Sequence, residues 1–315
     1  MNARRWLDEG GVFIALAVIL LLFGLLIGPR FVSGANLELM ARHAAVVCVA
    51  ALGMTMVIAS GGIDLSVGSV VALSTVVTAL MLGGGASPVV ALGGAVIACA
   101  AFGAVNGLLI TRLHVVPFIV TLGTMLLIRG AAKGLASERR VEAPASWLND
   151  LMRSVGGTGA LLPLGVWMTL GLAAIVAAVL HYTKFGRHLF AMGSNERTAR
   201  LCGVRVDRAK VAVYTLAGAL AGLAGVMEFA KLSVGDPTVS VGLELSVIAA
   251  VIIGGGSLSG GRGTITGTLA GAALMTVIQV GCSQQGLPNW VQEIVTGTII
   301  VGAVGLDRWR RRVQG

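Results

Sequence analysis

The sequence predicts an all-α membrane protein, a polytopic bundle of about ten transmembrane helices with both termini in the cytoplasm. Three observations predict it. The 315 residues are 56% hydrophobic and 12% charged, with a mean hydropathy of +0.91. That is more apolar surface than a soluble domain of this length hides. The apolar residues come in runs close to the roughly 20 residues that a spanning helix needs. The formal charge of +9 punctuates those runs instead of forming one continuous face, so it reads as topology-setting charge and not as a nucleic-acid footprint.

Ten runs follow one another without a linker, so residues 1–315 read as a single transmembrane domain. Val12–Gly28 follows Arg4 and Arg5. It is long for a secretory signal, and Pro29 to Val32 separates it from the cleavage-like Ser33-Gly34-Ala35, so it is kept as a span. His43–Ser60 ends at two glycines. Ser66–Leu82 is capped by Asp64 or Ser66. Pro88–Ile110 carries Gly103-x-x-x-Gly107, and Val116–Ala136 and Ala160–Tyr182 follow it. Val211–Ala230 carries Gly218-x-x-x-Gly222. Thr238–Gly255 is the weakest run, with a short apolar core at Leu245–Ile253. It is kept because a re-entrant segment there would place Arg308, Arg310, Arg311 and Arg312 outside. Thr264–Cys282 carries Gly267 and Gly271 after Gly263, and Trp290–Leu306 is last. Glycines spaced four apart let helix backbones approach, the main packing device in lipid.

Charge orients the array. With the N-terminus inside, fifteen of the 23 Lys and Arg residues fall on cytoplasmic segments, seven of them between Lys184 and Lys210. Within that loop Asn195 can cap a short helix, Glu196 sits in its positive first turn, and Gly203 can end it. A short capped helix in a basic cytosolic loop is a docking element for a soluble partner. The longest outer connection, Ser137 to Gly159, is charged and reads as ordered, with a short helix ending near Gly156-Gly157.

Two glycine-rich turns echo each other. Ser60-Gly61-Gly62-Ile63-Asp64-Leu65-Ser66 interrupts two spans, and Asp64 either caps a helix or gates a pathway, since a carboxylate near membrane depth is costly unless paired or capping. Gly254-Gly255-Gly256-Ser257-Leu258-Ser259-Gly260-Gly261-Arg262-Gly263 follows an apolar run and contains no Gly-Lys pair, so it is no phosphate loop; any ATP hydrolysis falls to another chain. The four cysteines and four histidines show no metal spacing, and no nucleophile–base constellation is present, so the expected catalytic and metal sets are empty. Uncharged midspan residues, Asn106, Thr121 and Gln279, join Asp64 as candidates for lining or gating a pathway. Arg139, Arg140, Arg153 and Lys231 fall outside and are candidates for docking an extracytoplasmic protein.

The run Gly61 to Ser69 resembles the signature of ribose-type permease subunits of bacterial ABC sugar importers. So do Pro117 to Met125, Phe185-Gly186-Arg187, Gly193 to Val204, Leu243 to Ala250 and Gly255 to Gly263. The resemblance covers nearly the whole chain in order. It implies a multi-pass subunit of the bacterial inner membrane that pairs with a second permease subunit. It also implies two ABC ATPase domains holding ATP and Mg on the partner chains, and a periplasmic solute-binding protein that delivers a monosaccharide or related polyol. The segment 184–210 is then the cytoplasmic coupling loop, with Gly193, Ser194, Asn195, Glu196, Ala199, Arg200 and Gly203 in contact with the ATPase. The alternatives are a permease for an amino acid or nucleoside and an ion-coupled secondary carrier. The second fits poorly with so few ionisable residues at membrane depth.

Overall fold

The computed structural model describes residues 3–155 and 162–314. Thirteen helices and one two-stranded ribbon follow in order: α1 Ala3–Ile27, α2 Gly34–Ala59, α3 Val67–Gly83, α4 Pro88–Leu113, α5 Pro117–Leu135, β1 Val141–Glu142, α6 Trp147–Asp150, α7 Leu164–Tyr182, α8 Lys184–Ser194, α9 Glu196–Leu201, α10 Val206–Leu232, β2 Val234–Gly235, α11 Leu243–Ile253, α12 Ile265–Gln284 and α13 Asn289–Gln314. Among the described residues, seven helices are long and apolar enough to cross a membrane: α1, α2, α4, α5, α7, α10 and α12. Leu25 and Leu26 on α1, Ile97 on α4 and Leu127 on α5 point outward and are exposed. Exposed apolar faces on this scale are unstable in water and natural in lipid. The chain is a multi-pass membrane protein.

The bundle has a layered interior. α2 is largely buried (78% of its apolar window), whereas α1 is peripheral (11%). α2 and α10 run antiparallel and touch at Gly53, where a Cβ would meet the Ala217 backbone. α4 and α10 cross at Gly103 and Gly218, whose Cα atoms lie against one another's missing side chains. α11 and α12 meet at Gly254–Gly267 and Ala250–Gly271. All three expected glycine pairs therefore sit at helix crossings, and backbone-to-backbone contact there forbids any larger residue.

Five boundaries differ from expectation by five residues or more, two of them being the start of α1 at Ala3 and not Val12 and the end of α13 at Gln314 and not Leu306. α2 begins at Gly34, not His43, because Ser33 caps it by accepting from the Asn36 N–H (3.4 Å). α10 begins at Val206, so Asp207, Arg208 and Lys210 ride on a helix and not in a loop. α11 has only 11 residues where Thr238–Gly255 was expected. At 1.5 Å per residue it spans about 16 Å, half of a hydrocarbon core. The residues before it run as irregular backbone through Ser240 (φ 60°) and Gly242 (φ 80°), both left-handed, and that geometry cannot extend a helix backwards. In the outer connection the short helix is α6, and Gly156-Gly157 lies outside the described residues.

Candidate functional site

Two non-helical segments break the bundle from opposite ends. Residues 61–66 leave the end of α2, and residues 234–242 leave the far end of the antiparallel α10. Each carries Asp-x-Ser/Thr with the same turn. Asp64 Oδ1 accepts from the Ser66 backbone N–H at 2.8 Å and from Ser66 Oγ at 2.6 Å. Asp236 Oδ1 accepts from the Thr238 backbone N–H at 2.8 Å and from Thr238 Oγ1 at 2.6 Å. The helix that follows the first segment, α3, meets the second segment and the start of α11 where a Cβ on Gly68 would strike the Ser240 carbonyl and the Glu244 carboxylate. Broken helices that meet inside a bundle are a recurrent device of transporters.

The first segment is held by neutral groups. Asn106 Nδ2 on α4 donates to Ser66 Oγ (3.0 Å), and Thr121 Oγ1 on α5 donates to the Ile63 carbonyl (3.2 Å). The Tyr214 hydroxyl on α10 also reaches Ile63 (3.4 Å). Asp64, Asn106 and Thr121 are all buried, so three of the four pathway candidates form one interior cluster. Asn106 Oδ1 and Ser69 Oγ have no hydrogen-bond partner among the described residues. Gln279, the fourth, stands apart on α12 and donates to Ser246 Oγ at 3.1 Å.

The second segment is held by charge. Arg140 Nε pairs with Asp236 Oδ2 at 2.8 Å, and Arg129 Nη1 donates to the carbonyls of Pro237 (2.9 Å) and Val239 (2.7 Å). Desolvation pushes the Asp236 carboxyl up. Hydrogen bonds from Thr238 and Arg140 overcome that and hold it below the usual carboxylate range. The other docking candidates divide. Arg153 pairs with Asp150 at the surface (3.4 Å), Arg139 extends the same charged connection, and Lys231 turns inward onto Glu228 (2.7 Å) with both side chains mostly buried.

At the opposite end three turns interlock. The Gly261 N–H donates to the Ala59 carbonyl (2.9 Å), and a Cβ on Gly193 would strike that same carbonyl and the Gly261 nitrogen. The basic segment thus rests on both glycine-rich turns of the sequence echo. It holds two short helices, not one, and then the first turn of α10. The sequence reading missed α8, although Thr183 caps it (Gly186 N–H, 3.3 Å) and Leu189 and Met192 share its buried face. Asn195 then caps α9 by accepting from the Thr198 N–H (3.0 Å), and Gly203 ends it at φ 85°. Ser194 lies beside Gly261.

A four-charge clamp fixes α9 to α10. Glu196 accepts from Arg200 (3.0 Å) and Lys210 (2.7 Å), and Arg200 also reaches Asp207 (3.1 Å). Desolvation works against the Glu196 charge, but the hydrogen bonds from Lys210 and Arg200 prevail and hold its pKa down. Ala199 is the buried residue of α9, whereas Leu201 on the same helix is 89% exposed. No group of three or more His, Cys, Asp or Glu residues is placed to hold a metal among the described residues.

Sequence reasoning read Ser66 only as a helix cap and missed Tyr214, Asp236, Thr238 and Leu201. The recurrence of Asp-x-Ser/Thr at 64–66 and 236–238 was the available signal for Ser66, Asp236 and Thr238.

An interlocked helical membrane bundle with two broken segments and an exposed, clamped helix at one end is the architecture of a transport permease. Residues 36–304 match the family described as the branched-chain amino acid transport system permease component, and this chain belongs to it. Among curated relatives, the ribose import permease protein of Escherichia coli K12 is 39% identical over 306 residues, 96% of this chain and 95% of the relative. The ribose import permease protein of Bacillus subtilis 168 is 39% identical over 304 residues, 95% and 92%. The L-arabinose ABC transporter permease protein of Azospirillum brasilense is 34% identical over 307 residues, 97% and 89%. No solved structure shows a significant match.

Proposed function

We propose that this chain is the membrane-spanning permease subunit of an ATP-driven importer for a monosaccharide or related polyol. The observation that carries the reading is the exposed α9, capped by Asn195 and ion-paired to α10, joined directly to the end of α8, where Gly193 and Ser194 rest on the turns that launch α3 and α12. A push on such a helix moves the packed interior as a unit, because close-packed elements shift between discrete arrangements. In this reading all ten expected helices, α3, α11 and α13 included, lie in the inner membrane of a bacterium. Both termini and the 184–210 segment face the cytoplasm. A second permease subunit completes the pathway. Partner ABC ATPase subunits hold ATP and Mg, a periplasmic binding protein delivers the solute, and this chain catalyses nothing. The names of the ribose and L-arabinose relatives favour a sugar over the amino acid of the family description.

The test is reconstitution in proteoliposomes with the cognate ATPase and binding protein. ATP should drive uptake of D-ribose, L-arabinose or D-allose, and the permease alone should hydrolyse no ATP. Uptake of leucine but no sugar would overturn the substrate class. Leu201→Asp should lower sugar uptake by about tenfold or more with an unchanged melting temperature, as a buried interface anchor would. Normal uptake in that variant would show that α9 does not couple.

A further inference from the structure

A cavity of about 790 Å³ opens at the end of the bundle opposite the basic segment, between the N-terminal half of α2, the ends of α10 and α12, and the starts of α11 and α13. We propose that this cavity, within one permease chain, is an outward-facing holding site for a neutral polyhydroxylated solute. The proposal rests on the importer reading above.

Size fits first: ligand pockets run from about 300 to 1,000 Å³. The lining fits next. Ser246, Thr276, Gln279, Ser283, Asn289 and Gln292 present uncharged donors and acceptors from three different helices. A sugar hydroxyl both donates and accepts, so amides and hydroxyls complement it without a net charge. Gln279 gives its N–H to Ser246 (3.1 Å), which fixes the amide and leaves its carbonyl oxygen without a hydrogen bond among the described residues. The fixed charges at the wall are compensated: Lys231 Nζ lies 2.7 Å from Glu228 Oε2 and 3.3 Å from His43 Nδ1. An anion therefore finds no unpaired cation at that wall, and Glu293 is the one lining carboxylate without an ion pair among the described residues. It lies on the first turns of α13 and is exposed.

Closure on the inner side gives the site its direction. Toward the basic segment, α11 and α12 come together backbone to backbone at Ala250–Gly271 and Gly254–Gly267. A solute in the cavity has no passage there until those helices part. The site holds cargo on the outer side of a closed contact, and few of its polar groups are deeply buried, so it binds weakly and releases onward.

The experiment uses the full chain in its complex with ATPase and binding protein, in spheroplasts, with Cys202→Ser to remove the exposed thiol and Ser283→Cys as a reporter on the cavity wall. A membrane-impermeant maleimide is added from outside. D-ribose, L-arabinose or D-allose should slow labelling by the factor one plus the ratio of concentration to Kd, about fourfold at three times Kd. Sodium chloride and leucine of equal osmolarity should not. Gln279→Leu, with an unchanged melting temperature, should abolish the protection. Uptake of sugar without any protection of Ser283→Cys would overturn the holding site and leave the importer reading standing. Protection by leucine in place of sugars would overturn the polyhydroxylated class. Labelling that is insensitive to every solute but slowed by alkyl maltoside would make the cavity a lipid pocket.

Discussion

Segments 61–66 and 234–242 enter the bundle from opposite ends with the same Asp-x-Ser/Thr turn, the same distances, and opposite surroundings. Around Asp64 the neighbours are an amide, a threonine and a tyrosine from three packed helices, with no ion pair on the carboxylate. Around Asp236 they are Thr75 and two arginines, one of them 74% exposed at its side chain. A shared local motif therefore says little about its worth. An orphaned donor in the interior carries its full desolvation cost, while one at the rim is rescued by water. The interior segment is a fixed part of the frame, and the rim segment is a strap held by charge.

The harshest way to break this comparison is at the contact that anchors the interior segment. Gly193→Val would drive a branched side chain into the Ala59 carbonyl and the Gly261 nitrogen, neither of which is a yielding side-chain end. A loss of about 3 kcal/mol or more, or no assembled permease, is expected from such overpacking. Thermal unfolding in detergent reads it, and a wild-type melting temperature would mean the three turns do not interlock.

The next effect compares the two aspartates directly. Asp64→Ala leaves the buried Ser66 N–H and hydroxyl without their acceptor, at about 1–3 kcal/mol for each orphan. Asp236→Ala leaves Thr238 and Arg140 near water and should cost about 0.5–1.5 kcal/mol. Equal losses in urea titrations of the two variants would erase the distinction between frame and strap.

Acid sharpens the contrast further. The Asp236 pKa is held below its unfolded value, which is about 3.9. Its charged form thus contributes stability that is present above that unfolded value and is lost as pH falls through the folded one. Glu196 follows the same sign, with a smaller effect because its side chain is 40% exposed. Below about pH 4 the melting temperature of Asp236→Asn should fall less steeply than that of the wild type. Parallel curves would show that the strap charge does not stabilise the fold.

The smallest expected effect is Arg140→Ala. An ion pair with one partner this exposed is worth about 0–1 kcal/mol and is screened by salt. A difference scanning calorimetry comparison at low and high salt checks it; a large, salt-independent loss would make Arg140 a buried structural group.

Composition, run lengths and charge determined by themselves that this chain is a membrane bundle, which apolar runs form its long helices, and that the basic stretch after α7 carries a capped helix at Asn195. These properties are legible because a bilayer imposes one length and one polarity on every span, and because a cap such as Asn195 acts within its own turn. The glycine pairs were visible as spacing, but not which helix each one faces. Only the tertiary structure decided that the two Asp-x-Ser/Thr turns enter from opposite ends. The same holds for the pairing of Asn106 and Thr121 with one segment and of Arg129 and Arg140 with the other, and for the approach of Lys231 to His43. Such pairings join residues up to about a hundred or more positions apart, and no local rule encodes them. They exist because packing brings distant polar groups to the same depth, where each must find a partner or bear the cost of burial alone.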